Sequence, residues 1–140
     1  MAPRLRTVLM GSGLLAALLA GGGARAQATD PGGIWLTETG DSKVRLSRCG
    51  SGYCGTIVST AGKGLDQNNP DPALRTRSVV GVQIVNAATA TAEGFSGTLY
   101  NPKDGKTYSG TLTMTGANTV EVSGCVMSVF CKRQTWKRVN

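Results

Sequence analysis

Histidine is absent from this 140-residue chain, and that narrows the available chemistry before any fold is drawn. The usual general base, the commonest metal ligand and the Ser-His-Asp triads go with it. Catalysis would have to run on carboxylates, Lys or Tyr with shifted pKa values, and Asp66, Asp71, Asp104, Lys106 and Tyr108 are the only candidates that cluster by motif. Asp104-Gly105 is more economically read as a hairpin turn. Paired acids for glycoside cleavage need a defined separation, which a sequence does not state. The stretch from Asp66 to Asp71 lacks the acidic spacing and distal Glu of an EF-hand calcium loop. Cys49, Cys54, Cys125 and Cys131 have neither C-x-x-C spacing nor a His partner, which makes zinc a poor reading. No catalytic residue, no metal and no cofactor are therefore expected.

The cysteines take their meaning from the start of the chain. Arg4 and Arg6 form a positive opening, an apolar run follows from Val8 to Ala20, and Ala24-Arg25-Ala26 is a small-x-small cleavage site. Ala26-Gln27-Ala28 offers an alternative cut. The run falls short of the ~20 residues a membrane span needs, and Gly21 to Gly23 end it. A cleavable signal peptide over residues 1–26 is expected, leaving one domain at 27–140 that is periplasmic or secreted. The leader holds three Arg and no acid, so the net charge falls from +7 to 12 − 8 = +4. In an exported chain four Cys favour disulfides, with three possible connectivities. Cys49-Gly-Ser-Gly-Tyr-Cys54 has a Gly-rich centre and Cys125 to Cys131 brackets a short segment, so each pair is expected to staple its own hairpin.

What must position any site is a set of short strands. From Gly32 onward the apolar pattern has period two, with turn residues between segments and no sustained helical stripe. The expected strands are Gly33 to Thr39, Ser42 to Arg48, Tyr53 to Thr60, Ser78 to Asn86, Glu93 to Asn101, Lys106 to Met114, Asn118 to Gly124 and Phe130 to Val139. Gly40-Asp41, Asp104-Gly105 and Gly116-Ala117 are tight-turn signals joining antiparallel neighbours. A meander of eight such strands predicts an all-β, up-and-down antiparallel barrel, with a two-sheet sandwich as the alternative. If Lys103-Asp104-Gly105 is a three-residue turn with Gly105 left-handed, Tyr100 and Tyr108 become cross-strand partners on one face.

The rhythm breaks between Ala61 and Arg77, where Gly, Asp, Asn and Pro dominate. Long loops in small domains are binding elements or ordered surface excursions.

Gly33-Ile34-Trp35, Cys49, Cys54-Gly55, Asp66-x-x-Asn69-Pro70-Asp71-Pro72, Leu74-Arg75-x-Arg77, Tyr100 through Tyr108 and Gln134-Thr135-Trp136-x-Arg138-Val139 occur in order. Together they resemble the bacterial domain-of-unknown-function family 2147, small exported proteins with a lipocalin-like barrel. The resemblance spans nearly the whole mature chain and implies a fold and a compartment, not a reaction. Gly33-x-Trp35 with an Arg near the last strand's end is also similar to the lipocalin and calycin closure. There the guanidinium of Arg138 would stack on Trp35, with Trp136 as a rival partner.

Three functions follow from different classes. The leading one is a binding module holding a small apolar or amphipathic molecule. Val44, Leu46, Val82, Ile84, Leu112, Val120 and Val122 would line its interior, and Gly81, Gly97 and Gly110 would leave room. The same residues would equally fill the barrel as core. The loop over one mouth would gate the site. Asp66, Asn69, Pro70, Asp71, Arg75, Tyr100 and Tyr108 are its candidate contacts, Arg75 either meeting a ligand headgroup or pairing with Asp66 or Asp71. The second is a hydrolase built on carboxylates, Tyr or Lys. The third is contact with an envelope surface or polyanion through Lys132, Arg133, Lys137 and Arg138, nucleic acid being a poor target for an exported chain.

Overall fold

The computed structural model describes residues 30–140 together with Gly13. The expected leader and its cleavage point therefore lie outside the described residues, Gly13 apart. Eight strands follow in order: β1 (Gly33–Leu36), β2 (Ser42–Cys49), β3 (Gly52–Thr60), β4 (Gln83–Ala90), β5 (Phe95–Asn101), β6 (Lys106–Gly116), β7 (Thr119–Val126) and β8 (Phe130–Arg138). Each pairs antiparallel with the next, and β8 returns to β1 through Trp35 opposite Arg138 and Leu36 opposite Lys137. The result is a closed up-and-down barrel, as the strand pattern predicts, and not a sandwich.

Period-two alternation explains the wall. In β2, Val44 and Leu46 are buried while Lys43, Arg45 and Ser47 are exposed, so one face is core and the other water. The inward residues Trp35, Val44, Leu46, Ile57, Val85, Leu112, Val120, Val122 and Trp136 make one continuous buried cluster. An eight-stranded barrel is just wide enough for such side chains to fill it. Two of the expected roomy positions are closed: a Cβ at Gly110 would meet Leu99 at 2.3 Å, and one at Gly97 would meet the Asn86 carbonyl at 1.7 Å. Those glycines let neighbours approach; they do not enlarge a cavity. Gly81 lies in the loop before β4.

Most strands differ from expectation by a residue or two at one end, and β1 and β4 differ by more, β4 also running on to Ala90 instead of ending at Asn86. β1 ends at Leu36, because Thr37 and Gly40 already close the turn into β2. β4 begins at Gln83 instead of Ser78, so the long loop runs from Ala61 to Val82. A register also differs. Asn101 faces Lys106, leaving Pro102 to Gly105 as a four-residue turn. Tyr100 then faces Thr107 and Tyr108 faces Leu99, which puts the two tyrosines on opposite faces of the hairpin.

Both expected disulfides are present, Cys49–Cys54 and Cys125–Cys131. The barrel is closed at the end carrying the β2–β3, β4–β5 and β6–β7 turns. There the Arg138 guanidinium lies 4.4 Å from the Trp35 ring centroid and donates to the carbonyls of Gly32, Asp30 and Ala117. Trp35 is fully buried and donates its indole N–H to the Pro31 carbonyl at 2.8 Å. Gly33 is required between them: its φ is +129°, and a Cβ there would sit 2.6 Å from the Asn140 carbonyl. Arg138→Met keeps most of the stem but removes the stacked charge and three hydrogen bonds, so a loss of about 2 kcal/mol is expected in urea denaturation. A change below about 0.5 kcal/mol would mean that the guanidinium adds nothing to closure.

Candidate functional site

The inward faces change character along the barrel. On β8, Trp136 is buried, but Gln134, Lys132 and Phe130, which follow it on the same face toward the β7–β8 turn, are exposed. On β7, Val122 is buried, Gly124 half-buried and Val126 exposed. On the neighbouring strands β5 and β6, Leu99 and Tyr108 are half-buried, beyond the buried Gly110 and Leu112. These residues share one interior: a Cβ at Gly124 would touch both Leu99 and Tyr108 at 3.5 Å, and the Trp136 indole donates to Gln134 Oε1 at 3.0 Å. The inward side chains of the closed half are therefore buried, whereas beneath the β1–β2, β3–β4, β5–β6 and β7–β8 turns the inward-facing side chains reach solvent; this open half is called the cup below. Its floor is aromatic and aliphatic. Its wall carries Tyr108, Gln134 and Lys132. The asymmetry has a plain cause, since β8 has nine residues and its partner β1 only four.

The long loop docks at this end. Its centre is Asp66, whose side chain is fully buried and accepts from Tyr100 Oη at 2.5 Å, Asn69 Nδ2 at 2.8 Å and the Arg77 Nε and Nη2 groups at 2.9 Å each. Burial pushes the Asp66 carboxyl up, but the hydrogen bonds from Tyr100, Asn69 and Arg77 and the Arg77 charge outweigh it and hold the pKa below its ordinary value. Burial first, and then the bond to Asp66, push Tyr100 up to about 12. Asn69 Oδ1 accepts from Asp71 N–H, Asp71 Oδ1 accepts from Ala73 N–H at the head of a short 3₁₀ turn over Pro72–Leu74, and Arg75 Nε donates to the Asn69 carbonyl. Arg77, not Arg75, is the carboxylate partner.

Further contacts tie the loop to the turns. Asn68 Nδ2 donates to the Lys103 carbonyl at 2.9 Å, and Gly105, with φ +70°, lies so close that a Cβ would be 1.8 Å from the Asn68 carbonyl. Gly105→Ala meets both the positive φ and this contact, so it should destabilise by about 2 kcal/mol or more and loosen the loop. An unchanged melting temperature would contradict that. Lys103 Nζ meets Asp41 Oδ2 at 2.9 Å. The β1–β2 and β5–β6 turns are four strands apart around the barrel, so this exposed ion pair joins opposite sides of the open end.

The family model for an uncharacterised protein conserved in bacteria (DUF2147) matches residues 33–138. The chain belongs to this family. A solved structure from Helicobacter pylori, described as protein HP1028 belonging to the lipocalin family, is similar at TM-score 0.66 and 25% identity, over 80% of this chain and 84% of that one. No curated protein matches.

In this DUF2147 chain the acidic loop motif forms a knot of mutual hydrogen bonds, and Asp66, Asn69, Asp71, Arg75 and Tyr100 are all committed to it. Tyr100 sits on the outward face of β5, where the knot anchors, while Tyr108 faces inward at the cup and donates to Asp104 Oδ2, a bond that raises its pKa. The four basic residues near the C-terminus do not form one patch. Lys132 faces inward, Arg133 and Lys137 outward, and Arg138 belongs to the closure. Lys132 and Gln134 were missed as cup residues by sequence reasoning. One signal is in the sequence: both share the period-two face of Trp136.

Proposed function

We propose that this protein binds a small amphipathic molecule, apolar tail downward and anionic head at Lys132, in the cup at the end of the barrel that carries the β7–β8 turn. The observation that carries the reading is the switch, along one inward face of β8, from buried Trp136 to exposed Gln134 and Lys132. A half-filled barrel with a few polar groups at its rim is the usual form of a small-molecule site. Lys132 takes the headgroup role because Arg75 is committed to Asn69. The Helicobacter pylori structure described as belonging to the lipocalin family has a fold compatible with small-molecule binding. We place the protein outside the cytoplasm, in the periplasm or secreted, since two short-range disulfides suit an oxidising compartment.

The knot fixes the 61–82 loop to the outward face of β5 beside the open end, and the Lys103–Asp41 pair acts as a latch across that end. An exposed pair of this kind contributes about 0 to 1 kcal/mol, weak enough to open in each binding cycle. The test is calorimetric titration with dodecanoate. Lys132→Glu should weaken binding about tenfold or more with an unchanged melting temperature, through loss of the charge-assisted contact and repulsion of the head. Lys103→Ala should speed association and dissociation together, read by stopped flow, with a stability change within about 0.5 kcal/mol. Equal affinity in wild type and Lys132→Glu would remove Lys132 from the site.

A further inference from the structure

The β7–β8 hairpin differs from every other turn at the open end. Four of the five residues from Val126 to Phe130 are large apolar side chains in solvent: Val126 46%, Met127 84%, Val129 75% and Phe130 74% exposed. Isolated exposed apolar residues need no explanation, but a contiguous tip of four marks a contact surface. The tip is also built to hold its shape. Met127 and Ser128 both take left-handed backbone, at φ 54° and 60°, and the Cys125–Cys131 disulfide staples the strands immediately behind them. Held in this way, the tip loses little conformational freedom on docking.

Charge identifies the occupant. From Val122 to Lys137 the hairpin carries Lys132, Arg133 and Lys137 and no acidic residue. Two acids border the hairpin away from its tip: Glu121, 3.9 Å from Arg133, and Glu38, whose Oε1 accepts from Thr135 N–H at 3.4 Å. An apolar tip with cations two and three residues behind it matches the layering of an anionic bilayer, where apolar side chains enter the headgroup and acyl boundary and Lys or Arg stay at the phosphates. We infer that the Val126–Phe130 tip docks this protein on an anionic phospholipid surface, with Met127, Val129 and Phe130 inserted and Arg133 at the headgroups. The tip lies at the same end as the cup, so docking faces the cup toward the membrane and lets an amphipathic molecule pass between them without crossing bulk water. The docking itself does not depend on what the cup holds.

Flotation with vesicles of phosphatidylcholine containing 30% phosphatidylglycerol, against phosphatidylcholine alone, tests this with the full mature chain. The wild type should float with the anionic vesicles, and more weakly at 0.5 M salt. V129S/F130S should bind at least tenfold less and R133E severalfold less, both with unchanged melting temperatures because these side chains are exposed. M127S/V129S, which alters only the turn and leaves the inward-facing Phe130 in place, should lose vesicle binding in the same way while its dodecanoate affinity equals that of wild type, so failure of docking and failure of the cup remain separate results. No wild-type flotation overturns the inference. So does flotation that V129S/F130S leaves intact, which would make charge alone responsible. A concentration-dependent dimer abolished by V129S/F130S, without vesicle binding, would assign the tip to a second copy of the chain and equally overturn it.

Discussion

Replacing Asp66 by Ala is expected to cost about 3 kcal/mol and to release the whole 61–82 loop while the barrel remains folded. Three side chains donate to this fully buried carboxylate, so its removal strands Asn69 and Tyr100 without their acceptor and leaves Arg77 unpaired. Arg77 is partly exposed and can turn to water, which keeps the loss at the low end for a broken buried pair. Stability should follow pH with a definite sign. Asp66 has a lowered folded pKa, so its contribution is present above the ordinary carboxyl value of 3.8 and is lost as pH falls through the folded value. Tyr100 has a raised one, so its contribution is present below the ordinary 10.0 and is lost as pH rises through about 12. Urea denaturation across pH, with amide exchange at Asn68 and Val79, would measure both the loss and its location. A loss under about 1 kcal/mol, or exchange unchanged in the loop, would mean that the knot does not hold the loop.

Trp35→Ala should be the most damaging single substitution, at about 4 kcal/mol, because it combines a large cavity with two lost polar contacts. Trp35 is the largest fully buried side chain among the described residues, and its neighbours Val44, Val120 and Trp136 belong to strands whose hydrogen bonds fix their distance. Collapse into the vacancy is therefore limited. The substitution also frees the Pro31 carbonyl and removes the ring beneath Arg138. Calorimetric unfolding should show the drop in both melting temperature and enthalpy. Trp35→Phe, which keeps an aromatic face but not the N–H, should recover roughly half. A loss below about 2 kcal/mol for the Ala variant would show that the closed end is not the barrel's main anchor.

The barrel was legible because most strands announce which face is wet. β2 alternates Val44 and Leu46 with Lys43 and Arg45, and a one-residue slip would bury charge. β4 was misplaced because Ser78 to Val82 contains three valines and reads as strand. In the structure Gly81, at φ +93°, breaks the chain there, and Val79 and Val82 are buried as loop anchors instead. The β5–β6 turn was misread by one residue, which moved Tyr100 from the cup to the outer knot. Asn101 decides it: its carbonyl accepts from Gly105 N–H at 2.8 Å and its side chain from Lys103 N–H, closing four residues instead of three. The choice of Arg77 over Arg75 for Asp66 had no signal in sequence, since both are the same residue type two positions apart in the same loop. The cup's position depends on how far β8 extends past β1, a difference in strand length that appears only once pairing is known.

The central claim is that the open half of the barrel is the binding site, and residue-resolved NMR titration of the mature chain with dodecanoate tests it most directly. Saturable amide and side-chain shifts are expected at Leu99, Tyr108, Gly124, Lys132 and Gln134, with Trp35, Tyr53 and Arg138 at the closed end unmoved. Absence of saturable shifts, or shifts centred on the closed end or on the outward faces of the strands, would contradict the account.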